Sequence, residues 1–116
     1  MTCVWNGLIN KLKLRINAYE LCEYVKKNNI IVENVIVNEI VLTEQQKKEN
    51  IERIKNIDNI HNGYDMSTCD PLLILICELY KVNIKHQFLN VIIDYKNTTA
   101  DRNNTINVFS NRGHFW

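Results

Sequence analysis

Six consecutive apolar residues, Leu72, Leu73, Ile74, Leu75, Ile76 and Cys77, leave a chain of this size little choice of architecture. They follow Asp70-Pro71, where aspartate suits a helix N-cap and proline the first helical position. The pattern predicts a helix, and a helix that is apolar on every face has to be buried on most of them. The rest of the chain must therefore wrap around this segment. After Tyr80-Lys81 the period of the pattern changes. Val82-Asn83-Ile84-Lys85-His86 alternates, and so do residues 91–95 and Ile106-Asn107-Val108-Phe109. These read as three antiparallel strands, with Leu89-Asn90 as one turn and residues 96–104 as a polar, mobile loop. The expected fold is α+β, with helices on one side of a small antiparallel sheet made largely from residues 82–116.

The first part of the chain supplies the other helices. Val4, Trp5, Leu8, Ile9 and Leu12 recur at helical steps, which places Cys3 at a helix start. Asn17 caps a second helix over residues 18–27, with Cys22 on its apolar face. Val35-Ile36-Val37 and Ile40-Val41-Leu42 read as a short hairpin turning at Asn38-Glu39. Thr43-Glu44-Gln45-Gln46 is a capping box opening a helix that runs to about Ile57, with Ile51, Ile54 and Ile57 inward and Lys47, Lys48, Glu49, Glu52, Arg53 and Lys55 outward. Residues 58–69 read as a long loop carrying His61.

A chain of 116 residues makes one domain, spanning 1–116, with enough length for a core. Its 14 basic and 13 acidic residues give a net charge of +1, which provides no footprint for nucleic acid or for an anionic membrane surface. No run reaches the roughly 18 apolar residues of a membrane span. Met1-Thr2-Cys3 leaves no room for a signal peptide, so the expected location is intracellular and cytoplasmic, with free thiols. Cys3, Cys22, Cys69 and Cys77 form no C-x-x-C pair, and His61, His86 and His114 are scattered. No metal site and no cofactor are expected.

The chemistry-bearing pattern spans both ends of the chain. A late strand runs into Asn111-Arg112-Gly113 and then His114-Phe115-Trp116, while Cys3 opens the first helix. A cysteine at an early helix start and a histidine on a late strand is the order used by papain-like cysteine hydrolases, whose residues meet in space. The free N–H groups of a helix start favour a thiolate there. The competing reading of Cys3 is a small hydrophobe at a frayed terminus. Cys22 and Cys77 read as core. Cys69 also precedes a helix and ranks second as nucleophile. His61 reads as a solvated loop residue, and His86 as structural or solvent-facing, on the polar phase or at the end of its strand. Trp5, Phe115 and Trp116 would either wall a groove or pack in the core, and Gly113 would give a substrate tail room beside His114.

The run from the buried helix into a strand, the two strands that follow, the Gly113-His114 ending and the Cys3-Val4-Trp5 start resemble the ovarian-tumour (OTU) cysteine proteases, which are deubiquitinases. The likeness covers about residues 70–116 plus the cysteine start, and the composition and brevity suit a viral member, whose setting would be the host cytoplasm. Where the family carries Asp-Gly-Asn before its cysteine, only Met1 and Thr2 precede Cys3; two residues after the histidine, where it carries Asp or Asn, stands Trp116. Two catalytic positions therefore carry over, Cys3 and His114. The resemblance implies a monomeric hydrolase cleaving ubiquitin or a ubiquitin-like modifier through a thioester. Backbone N–H groups at the helix start would hold the oxyanion, with Asn6 either a further donor or a solvated helix residue; Asn111, Asn107 and Asp94 are the orienting candidates, and the alternative is a dyad without a third group. The alternatives are an inert protein-binding module of the same fold and a different papain-like protease.

Overall fold

The computed structural model describes residues 3–57, 71–111 and 113–116. The elements run α1 (Cys3–Leu12), α2 (Ala18–Lys27), β1 (Val35–Val37), β2 (Ile40–Val41), α3 (Glu44–Lys55), α4 (Pro71–Tyr80), β3 (Asn83–Phe88), β4 (Val91–Asn97) and β5 (Thr105–Ser110). Among the described residues this is an α+β domain of four helices and a five-stranded mixed sheet, ordered β2-β1-β4-β3-β5. The expected loop over 58–69 and the Asp70 cap lie outside the described residues.

The all-apolar stretch is α4, and its residues 71–77 are all buried. It packs against β1, β3, β4 and α3 and so forms the centre of the core. It ends with Lys81 in the left-handed region (φ 50°), which lets the Val82 N–H donate to the Cys77 carbonyl at 3.3 Å. That is the six-to-one closure of a Schellman ending, made here without glycine. Helix α1 stops the same way: Lys13 has φ 57°, and the Leu14 N–H donates to the Ile9 carbonyl at 3.0 Å. Both predicted caps form as reciprocal boxes, Asn17 with Glu20 and Thr43 with Gln46. Helix α3 departs from expectation at one residue. Lys47 is buried, and its ammonium pairs with Glu33 at 3.3 Å and Glu44 at 3.4 Å.

Alternation along the strands puts Val35, Val37, Ile84, His86, Ile93, Tyr95 and Val108 on one buried face, under the helices. Lys85, Gln87, Asp94, Lys96 and Asn107 stand exposed on the other. The helices therefore lie on one side, as the periodicity implies. The sheet itself is not purely antiparallel. β3 pairs antiparallel with β4 but parallel with β5. The hairpin β1–β2 adds two more strands through β1–β4 pairing, turning at Asn38 and Glu39, both left-handed (φ 49° and 65°), as a two-residue type I′ hairpin requires. Alternation reveals a strand and not its direction. The direction of β5 comes from residues 98–104, which step over the start of β3 and enter β5 beside it. There the Asn83 N–H donates to the Asn104 carbonyl at 2.9 Å.

That crossover is held in place by hydrogen bonds. Asn97 is fully buried at the end of β4; its amide donates to the Cys77 carbonyl at 2.8 Å, and its side-chain oxygen accepts from the Thr99 N–H (2.8 Å) and hydroxyl (2.6 Å). One side chain thus ties the last turn of α4 to the turn that begins the crossover. Because β5 runs parallel to β3, it delivers Ser110 to the same sheet end as Phe88, and this is where the candidate site lies.

His86 is fully buried, correcting the expectation of a polar-phase residue. Its Nε2 lies 2.6 Å from the Ser110 hydroxyl, while its Nδ1 has no partner among the described residues. Burial pushes its imidazole below the ordinary value near 6.5. A base whose folded pKa is depressed contributes full stability above that ordinary value and loses it as pH falls toward the folded value. Denaturant midpoints should therefore drop as pH is lowered from about 7 to about 5, and the drop should flatten in His86→Gln. A second test separates core from surface. Ile74→Ala should cost about 2–5 kcal/mol by leaving a cavity, and Thr43→Ala about 1 kcal/mol by losing a cap; denaturant titration that ranks the cap variant worse contradicts the burial assignment.

Candidate active site

Cys3 is the first residue of α1 and half-buried. Residues three, four and seven positions further along a helix share its face, and here these are Asn6, Gly7 and Asn10. They line one side of a groove of about 570 Å³, together with Cys3 and Lys11. The other side is His114, Phe115 and Trp116. The structure thus brings the two ends of the described chain to one groove.

What folds the last residues back is a tight turn after β5. The Phe109 and Trp116 main chains exchange N–H···O bonds of 2.8 Å each, and the Asn111 N–H donates to the His114 carbonyl at 2.9 Å. Ser110 and Phe115 face each other across this return. Alternation then sends Phe115 inward, where it is buried, and leaves His114 and Trp116 outward. The Phe115 ring sits on α1 at Gly7. A Cβ built there would lie 2.6 and 2.7 Å from two of its ring carbons, closer than packed atoms allow. The ring also meets His86, centroid to centroid at 6.2 Å. Gly7 therefore sets how closely the His114 segment approaches the helix that carries Cys3.

The imidazole of His114 is exposed and nearly parallel to the Trp116 indole, with centroids 5.3 Å apart and planes 18° apart. Trp116 in turn stacks on Phe109 at 6.0 Å and 20°, and the Lys11 ammonium lies 5.7 Å from the Phe109 centroid.

The remaining expected residues fall as follows. Asn6 lines the groove one turn from Cys3. Asn111 serves the turn: its side-chain oxygen accepts from the Gly113 N–H at 2.9 Å. Asn107 sits on the exposed face of β5 opposite Lys85, and Asp94 lies on β4, separated from β5 by β3, so neither reaches the groove. Trp5 belongs to the core and not to the groove wall, because two positions from Cys3 is the opposite side of the helix. A Cβ at Gly113 would meet nothing within 4 Å, so the space there is open, and the glycine whose missing side chain packing requires is Gly7. Its signal was its spacing of four from Cys3. Cys22 and Cys77 are buried, and burial pushes both thiols up. Cys69 and His61 lie outside the described residues. Among the described residues no cluster of three or more His, Cys, Asp or Glu could hold a metal ion, and no helix is long and apolar enough to cross a membrane.

Comparison with protein-family models, curated protein sequences and solved structures finds no match.

The Gly7 contact generates a sharp expectation. Glycine to alanine inside a helix ordinarily stabilises by about 1 kcal/mol. Here the added methyl strikes a buried ring, and overpacking costs about 1–3 kcal/mol. Gly7→Ala should therefore lower the thermal midpoint and shift the His114 resonances; a raised midpoint would show that Phe115 does not rest there.

Proposed function

We propose that this protein is a cysteine hydrolase of OTU-like, papain-like type that cleaves ubiquitin or a ubiquitin-like modifier from proteins. The observation that carries the reading is that Cys3, at a helix start, and His114, on the returning chain after β5, line one groove. A thiol nucleophile needs access, a base and stabilisation of the oxyanion it creates. Among the described cysteines only Cys3 combines access with a histidine on the same groove, since Cys22 and Cys77 are buried.

In the mechanism His114 takes the Cys3 proton. The thiolate attacks the carbonyl carbon of the scissile amide, and the resulting oxyanion accepts hydrogen bonds from N–H groups at the start of α1, with the Asn6 amide beside them. Collapse of the tetrahedral intermediate breaks the C–N bond, and the imidazolium of His114 protonates the departing amine. Water, deprotonated by His114, then attacks the thioester, releasing the carboxylate and restoring the thiol. The extended C-terminal tail of a ubiquitin-like protein suits a groove that follows one stripe of α1. The location that fits this activity is the cytoplasm.

One observation favours a second reading. Among the described residues no side chain hydrogen-bonds the His114 imidazole, and a triad histidine ordinarily has such a partner. On that reading the domain is a binding module with an inert Cys3.

Ubiquitin bearing an electrophile at its C-terminus decides between them. The adduct should map to Cys3 by peptide mass spectrometry, and Cys3→Ala should abolish both labelling and hydrolysis while leaving the fold intact. His114→Ala should slow the reaction by about 10²–10⁴-fold through loss of the base. An adduct on Cys69 keeps a hydrolase with a different nucleophile; no adduct, with Cys3 open to simple alkylators, makes the module the better account.

A further inference from the structure

We propose that Trp116 is the positioning residue for the His114 imidazole, doing by ring stacking what a hydrogen-bonding side chain does in a triad. The proposal rests on the reading of Cys3 and His114 as the reacting pair. His114 and Trp116 are two residues apart on an extended segment, so their side chains leave on the same side, while Phe115 between them is anchored in the core. Phe109, directly opposite Trp116, shares that side, and the two main chains lock together through a reciprocal pair of 2.8 Å hydrogen bonds. The indole therefore rests on a fixed main chain and on a second ring, with only 20° between the Trp116 and Phe109 planes.

The imidazole lies on this support at 5.3 Å and 18°, within the roughly 4.5–7 Å range of attractive aromatic pairs. An exposed histidine with no such neighbour samples several rotamers, and only some aim a ring nitrogen at the thiol. A flat surface beside the ring removes the orientations that would cut through it. Stacking fixes the plane of the imidazole and leaves its tautomer open, whereas a carboxylate or amide partner fixes both. What the site needs at position 116 is then an aromatic face and no hydrogen-bonding group. Asn111 spends its side-chain oxygen on the turn, and Asn107 and Asp94 stand away from the groove.

The test uses the full chain with Trp116→Phe and Trp116→Leu. Leucine keeps apolar bulk and leaves the Phe109–Trp116 bonds, which are main-chain only, free to form. Two rates are read: hydrolysis of ubiquitin carrying a C-terminal aminocoumarin, and alkylation of Cys3 by chloroacetamide, which is too small to need the groove. The His114 ring-proton shifts are followed by NMR alongside. Trp116→Phe should keep kcat within about threefold, while Trp116→Leu should lower kcat by about tenfold or more with KM nearly unchanged, as misorientation of a reacting group predicts. Wild-type His114 ring protons should show the upfield shift of a ring lying over an indole, reduced in the Phe variant and lost in the Leu variant. A folded Leu variant that hydrolyses and alkylates as fast as wild type overturns the proposal, and so does a Phe variant as slow as the Leu variant. Should the Leu variant unfold, the wild-type shifts still decide, because their absence in the folded protein overturns it. Wild-type protein that does not react at Cys3 removes instead the reading on which the proposal rests, and the ring shifts tell the two failures apart.

Discussion

The contact on which the rest of the site depends is the seating of the Phe115 ring on the bare backbone of Gly7. Helix α1 and the chain after β5 are distant in sequence and join nowhere in the sheet, so side-chain packing has to fix their separation. A ring that lies where a Cβ would stand brings the two main chains closer than any other residue at position 7 allows. Because Phe115 points inward, His114 is carried outward beside the helix start, and Cys3, four residues before Gly7, lies on the same stripe. The geometry of the groove is thus a consequence of core packing.

Phe115 needs a firm floor, and the sheet supplies one. Ser110 and His86 meet through a 2.6 Å hydrogen bond across the parallel β3–β5 pair, and the imidazole of His86 lies against the Phe115 ring. A buried polar pair of this kind gains little net stability over apolar packing but is sensitive to register, since a slip of one residue would separate the partners. At the other end of the sheet Asn97 and Asn83 hold the crossover that makes β5 parallel. Because β4 already pairs with β1 on one side and β3 on the other, β5 has no place beside β4, and the crossover takes it past β3 to the edge that α1 contacts.

The parts of this fold that were legible in the sequence are those set by local physics. The unbroken apolar run marks α4 as a buried core helix, the Asn17 cap and the Thr43 box mark two helix starts, and alternation marks β3, β4 and β5 as strands. The rest required information that local patterns do not carry. Strand direction depends on where a crossover goes, so the antiparallel expectation for β5 failed. His86 stands where its neighbours alternate into the core, but its polarity suggested the opposite face; only the Ser110 hydroxyl across the pair makes its burial tolerable. Lys47 stands on the charged face of α3, and Glu33, from outside that helix, is what makes its burial tolerable. At the site, Cys3 and His114 were legible as a pair by order along the chain. Trp5, readable from its type as either groove wall or core, is core because its helical angle turns it away from Cys3, and Gly7 carries no chemistry of its own to mark it although it stands four residues from the proposed nucleophile.

The proposed chemistry requires the Cys3 thiol and the His114 imidazole to face each other across one groove. Nuclear Overhauser contacts on uniformly labelled protein test this most directly. The account predicts cross-peaks between the Gly7 α-protons and the Phe115 ring, and between the His114 ring protons and the side chains of Cys3 or Asn6. A well-dispersed spectrum that gives the β3–β5 contacts but neither of these would contradict it, because the sheet would then be correct and the groove that joins Cys3 to His114 would not exist.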